Sequence, residues 1–195
     1  MSTLSWLHLP DQASDAEILS QMKRALREAD QSAALVVAGD FGGDVTDATA
    51  HSDTVGLLLD ASLPVFAISS GLIGRRGLTL LLAADRIVIG PAARVTGDWR
   101  TAPGLAPLLL HRLGAALARA TIFDPSADVI ARLVEHGHAA RSSNPDAYVQ
   151  EIAATLGNGL GHRLKRGLKA SHELPLREAM SFDLWLDRSE KVSAP

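Results

Sequence analysis

The chain of 195 residues contains no cysteine. That excludes disulfides, thiolate metal ligands and a cysteine nucleophile, and it agrees with a cytoplasmic location. Aromatic residues are scarce, at 4%, so aliphatic side chains have to fill the core. No apolar run approaches the roughly 20 residues of a membrane-spanning helix. The opening MSTLSWLHLPDQ has neither a basic segment nor a long apolar one, so it does not read as a secretion signal. A basic excess of the kind that argues for nucleic acid is missing too, since the formal net charge is −3.

What is present is ordinary for a water-facing globular protein: 47% apolar and 21% charged residues. The length fits one domain with a substantial core. Charge is uneven along it. Residues 1–60 carry 10 acidic and 3 basic side chains, and residues 61–195 carry 12 and 16. The later bases cluster in His162-Arg163-Leu164-Lys165-Arg166-Gly167-Leu168-Lys169. Such a run is either a solvated helix face or a site for a phosphate-bearing ligand.

Hydrophobic periodicity gives alternating strand and helix for about 90 residues. Leu4 to Leu9 reads as a strand ended by Pro10. Ser14 and Glu17 form a capping-box pattern that starts a helix. Leu35 to Ala38 reads as a buried strand, followed by the loop Gly39-Asp-Phe-Gly-Gly-Asp44 and a helix over 52–61. Val65 to Ile68 is a second buried strand, running into the loop Gly71-Leu-Ile-Gly74-Arg75-Arg76-Gly77. A helix over Leu78 to Ala84 and a strand over Ile87 to Ile89 follow. Beyond Gly90-Pro91 the segment Val95 to Pro103 is irregular. The remainder reads as helices almost alone: Leu105 to Ala120, helices opened by Asp124-Pro125 and Asn144-Pro145 that run to about Glu135 and Leu156, Leu160 to Ser171, and Leu176 to Leu186. The alternation predicts right-handed crossovers and a parallel sheet over about residues 1–120, with a helical region over about 121–195.

Parallel units gather their loops at the carboxyl ends of the strands, where ligands bind. Residues 39–45 and 69–77 are those loops here. Gly71, Gly74 and Gly77 do not match a nucleotide fingerprint. His136 and His138 lie two apart with no metal-binding pattern around them, so no metal is expected. Ser69 or Ser70 at a strand end could act as a nucleophile with His111 as base and Asp98 as orienting acid. The spacing gives no support for that, and both serines read equally as turn residues. His111 itself reads as a core histidine.

The motifs LHLP, LVVAGDFGGDV and, most specifically, LPVFAISSG…GLTLLLAADRIVIGPAARV resemble the crotonase (enoyl-CoA hydratase/isomerase) superfamily. APGLAPLLLHRLG, LVEHGHAA and the helix around Lys165 and Lys169 extend the likeness over about residues 5–186. The chain resembles a compact, divergent member lacking the hairpin that usually opens the family. The resemblance implies an α/β fold, a crotonase-like ββα spiral with a parallel sheet core and a C-terminal helical trimerisation region. It implies an acyl-CoA or acyl-carrier-protein substrate and a homotrimer or hexamer. It implies no nucleic acid, no membrane, and no cofactor beyond coenzyme A as part of the substrate.

The resemblance further implies that two backbone N–H groups hold the thioester oxygen and its enolate, those of Gly42 in the loop Phe41–Gly43 and of Arg76. It places coenzyme A phosphates near Lys165 and Lys169. The family's two glutamates are absent: Thr79 stands at one position, and Asp98 is the one acid in the loop that carries the other. A threonine hydroxyl is no general base near neutral pH. These departures argue against hydration and leave decarboxylation or isomerisation, with Arg75 or Arg76 clamping a substrate carboxylate and Asp98 or Thr79 handling the proton. A catalytically degenerate accessory subunit of a biosynthetic complex is the alternative reading, and a serine hydrolase a third.

Overall fold

The computed structural model of the chain describes residues 4–193 apart from 125, 157 and 158, with side chains to residue 186. The elements run β1 (Leu4–Leu9), α1 (Asp15–Glu28), β2 (Ala34–Gly39), α2 (Ala48–Asp60), β3 (Val65–Ser69), β4 (Leu72–Ile73), α3 (Arg75–Ala83) and β5 (Arg86–Ile89). Then come β6 (Arg94–Val95), a 3-10 turn (Trp99–Thr101), α4 (Leu105–Phe123), α5 (Val129–Glu135), β7 (Ala139–Arg141), α6 (Pro145–Leu156), α7 (Leu160–Glu173) and α8 (Leu176–Ser193).

Five strands pair in parallel in the order β1-β2-β3-β5-β7. Strands β2, β3 and β5 are buried almost throughout. Their unbroken apolar runs are what a sheet covered on both faces requires. On one face Leu35, Val37, Val65, Ala67, Ile87 and Ile89 join the main core with α1, α3, α4 and α5. On the other, Val36, Phe66, Ile68 and Val88 pack against Val149 of α6.

Local signals fix several helix starts. Ser14 and Glu17 form the reciprocal capping box of α1. Asp47 caps α2 by accepting from the N–H groups of Thr49 and Ala50. Asn144 accepts from Ala147 N–H just before Pro145, the first residue of α6. Asp124 behaves differently from the sequence reading. It ends α4, and Asp128 caps α5 instead; Pro125 lies outside the described residues.

Three further differences matter. Helix α3 starts at Arg75 rather than Leu78, with Gly74 as its cap, so both arginines are helical. The C-terminal part is not purely helical, because β7 joins the sheet edge beside β5. The apolar helix α4 is broken at Gly114, whose φ is 73°.

The loops at the carboxyl ends of β2 and β3 are sewn together. Phe41 bridges to Ile73, next to the two-residue ladder of β4 and β6. Gly74 N–H donates to the Phe41 carbonyl at 2.8 Å, and Arg76 N–H to the Gly43 carbonyl at 3.2 Å. Gly77 permits this approach, since a Cβ there would lie 2.7 Å from the Phe41 carbonyl carbon.

Candidate functional site

Two openings lie beside α3, the smaller at its start and the larger near its end. The smaller, about 320 Å³, is lined by Gly42, Asp44, Gly74, Arg75, Thr96, Gly97, Asp98 and Thr101. The larger is a groove of about 890 Å³ between α2 and α4 with α7 across it. Along α2 its lining residues are Ala48, His51, Ser52, Val55, Leu59 and Asp60, one helical face. That volume lies within the range of small-molecule sites.

Gly42, Arg75 and Asp98, which the resemblance marks as site residues, meet in the smaller cavity. Arg75 forks onto Asp44 through Nε at 2.8 Å and Nη2 at 3.0 Å, and reaches Thr101 Oγ1 at 3.2 Å. This bridge joins the loop after β2 to the loop before α4. Asp44 holds the Arg75 guanidinium firmly charged, with a smaller contribution from Asp98. In return, the hydrogen bond from Arg75 holds the Asp44 carboxyl below its ordinary value.

Arg76 is not brought there. Its side chain is 4% exposed and turns towards the start of α1, where Nη1 donates to the Ala13 carbonyl at 2.6 Å and lies 3.6 Å from Asp15 Oδ1. This corrects the sequence reading of Arg76 as a carboxylate clamp. Adjacent helical residues point about 100° apart, so when Arg75 faces the cavity Arg76 faces the core. Burial raises the Asp15 carboxyl, but N–H donors from Asp47 and Thr46, the Thr46 hydroxyl and Arg76 together hold it below its usual value.

Both amides expected to bind a thioester oxygen carry internal acceptors. Gly42 N–H donates to Asp40 Oδ1 at 2.7 Å, and Arg76 N–H to the Gly43 carbonyl. Thr79 and Asp98 are not brought together. Thr79 is fully buried and lines neither opening.

The hydroxyl of Thr79 sits 2.9 Å from the Arg76 carbonyl and 2.8 Å from His51 Nε2. His51 is 3% exposed and lines the groove. Burial lowers its basicity, Asp15 opposes that, and Arg76 reinforces it. Sequence reading passed over His51. The available signal was its place on the face shared with Ala48, Val55 and Leu59.

The two lysines turn to carboxylates of their own chain. Lys165 Nζ is 2.7 Å from Asp85 Oδ2 and 3.4 Å from the Leu58 carbonyl. At 9% exposure it forms an inward ion pair, and like Lys169 it lines the larger groove. Burial lowers its basicity, and Asp85 restores part of it. Lys169 pairs with Asp60 at 2.6 Å and remains half exposed.

The serine triad is not assembled. Ser69 Oγ is buried without a hydrogen-bond partner, Asp98 belongs to the smaller cavity, and the ring against His111 is His172. Among the described residues no three His, Asp or Glu side chains form a metal cage.

No family model matches the chain, and no curated protein matches it. Its fold does match solved structures. An enoyl-CoA hydratase/isomerase family protein from Silicibacter pomeroyi superposes with a TM-score of 0.75 at 18% identity, over 100% of this chain and 98% of that one. A putative enoyl-CoA hydratase from Streptomyces coelicolor gives 0.71 at 22% identity, over 97% and 83%. A Pseudomonas aeruginosa protein gives 0.74 at 17% identity, over 94% of both chains. The α/β architecture of this chain is thus the crotonase-like fold of the enoyl-CoA hydratase/isomerase proteins.

Proposed function

We propose that this protein binds an acyl thioester, carried on coenzyme A or a carrier protein, and transfers a proton beside its carbonyl, as an isomerase does. One observation carries the reading. The buried Thr79 hydroxyl is hydrogen-bonded to the imidazole of His51, which lines an apolar groove, where hydration would call for paired carboxylates. Apolar walls suit the acyl chain. The amides of Gly42 and Arg76 remain the proposed donors to the thioester oxygen, which has to displace a half-buried Asp40 carboxylate and the carbonyl of Gly43. Decarboxylation is the weaker branch, because the clamp it needs is Arg75, already forked onto Asp44.

A second reading, a binding subunit without turnover, has an observation in its favour: both proposed oxyanion donors are already satisfied within the chain. One experiment separates the two. Calorimetry with acetyl-, malonyl- and crotonyl-CoA reports binding, and proton NMR of butyryl-CoA in D2O reports exchange at the carbon next to the carbonyl. Binding with exchange supports the enzyme, and binding without exchange the accessory subunit. No heat with any of these, nor with an acyl-carrier protein, refutes both.

We also propose that α7 and α8 pack against other copies in a trimer or hexamer. Their exposed Leu164, Leu168, Leu176, Met180, Leu184 and Trp185 are the apolar surface such packing covers.

A further inference from the structure

We propose that His51 is the base of this site, with Nδ1 as the proton-accepting atom and Thr79 as the residue that positions it. The inference rests on the acyl-thioester reading above and names the residue that does its chemistry.

The argument is one of proton counting. The Thr79 hydroxyl has one hydrogen. Carbonyl oxygens can only accept, and two lie within reach: Arg76 at 2.9 Å and Arg75 at 3.4 Å. The hydroxyl hydrogen goes to them, as it does for threonines that bond back along a helix. The 2.8 Å contact to His51 Nε2 then needs its hydrogen from the ring. Nε2 therefore bears the proton, and Nδ1 carries the lone pair.

Among the described residues Nδ1 has no hydrogen-bond partner, yet it is not among the buried polar atoms left without one. It therefore keeps some accessible surface, and the residue that carries it lines the groove. A neutral imidazole held in one tautomer, by a partner on its far nitrogen, is the arrangement by which histidine bases are oriented.

The charged groups facing it are Asp15 from α1 and Arg76 from α3, which pair with each other. Lys165 and Lys169 of α7 lie at the other end of α2, against Leu58 and Asp60. Burial lowers the basicity of the ring from its ordinary value of 6.5, with Asp15 opposing the shift and Arg76 adding to it. The step balances without a further reactant. Nδ1 takes a proton from the carbon beside the thioester carbonyl, the C–H electron pair moves into the carbonyl as an enolate, and the imidazolium returns a proton to carbon. In D2O the returned atom is deuterium.

The test uses butyryl-CoA in D2O with wild type, His51→Gln and Thr79→Val. His51→Gln is expected to cut exchange by about 10²–10⁴-fold while calorimetric affinity changes less than about threefold. Wild-type exchange is expected to be flat above pH 7 and to fall only in acid. Nitrogen NMR of the free protein should show His51 protonated at Nε2 alone, and Thr79→Val should turn that single signature into a mixture of tautomers. A wild-type spectrum with the proton on Nδ1 overturns the assignment whatever the ligand. Undiminished exchange in His51→Gln overturns the base and leaves the acyl-thioester reading standing. Absence of exchange in wild type overturns the base together with the proton-transfer reading, while thioester binding stays a separate result.

Discussion

Gly77→Ala is the perturbation that tests most directly how the two loops are held together. Helix propensity alone favours it: replacing glycine by alanine inside a helix gains about 1 kcal/mol. The site opposes it. The new Cβ would lie 2.7 Å from both the carbonyl carbon and the Cβ of Phe41, and closer still to its carbonyl oxygen. Ordinary contact between carbons needs about 3.5–4.0 Å. Phe41 cannot simply retreat, because its carbonyl accepts the Gly74 N–H at 2.8 Å. Overpacking of this kind costs about 1–3 kcal/mol, and a lost hydrogen bond adds about 1 kcal/mol. The clash wins, and a net loss of about 2 kcal/mol follows.

For a chain of this size that lowers the melting temperature by about 4–8 °C. Gly56→Ala is the internal control. Gly56 also lies inside a helix, α2, but a Cβ there meets nothing within 4 Å. It should raise the melting temperature by about 2–4 °C. Thermal and urea unfolding followed by circular dichroism measure both. If Gly77→Ala is as stable as wild type, or if the two variants shift stability in the same direction, the close approach of α3 to the Phe41 loop is misdescribed.

Two further expectations follow from the same region and from the C-terminal helices. Asp15→Ala leaves the Arg76 guanidinium buried without its carboxylate and should cost about 3–5 kcal/mol in urea unfolding at pH 7. The folded Asp15 carboxyl titrates below its ordinary 3.8, so its contribution is present above that pH and is lost as pH falls through the folded value. The gap between wild type and variant should therefore close in acid, and a gap that persists unchanged at pH 2 rejects the ion-pair account. Light scattering should give a mass of three or six times 20.6 kDa, reduced in Leu168→Glu and Leu184→Glu. A monomeric wild type rejects the proposed packing of α7 and α8.

Much of this was legible in the residues. The unbroken apolar runs of β2, β3 and β5 announced a doubly covered parallel sheet. Ser14, Asn144 and Pro145 announced helix starts by local chemistry, and the glycine loops marked the turns after β2 and β3. Asp124 misled, because an N-cap signature also suits a residue that ends a helix, and Asp128 four positions on carries the same chemistry. The three residues of β7 escaped notice because a strand that short has no periodicity to read.

The site was less legible, for a reason visible in Arg75 and Arg76. Sequence places two identical cations side by side and cannot say which faces the cavity. The start of α3 at Arg75 decides it, sending one to Asp44 and its neighbour to Asp15, 61 positions earlier in the chain. Thr79 likewise was read as a replacement for a missing acid, while its partner His51 went unmarked, since the two touch only because α2 lies against α3.

What the sequence determined by itself is most of the elements and the parallel core of the sheet, β1, β2, β3 and β5, because apolar period and capping chemistry act over a few neighbouring residues. What only the tertiary structure decided is which polar groups are spent on one another: Arg76 on Asp15, Lys165 on Asp85, the amide of Arg76 on the Gly43 carbonyl, and Thr79 on His51. Those pairings depend on distances of about 3 Å between residues far apart in the chain, and no local pattern encodes them.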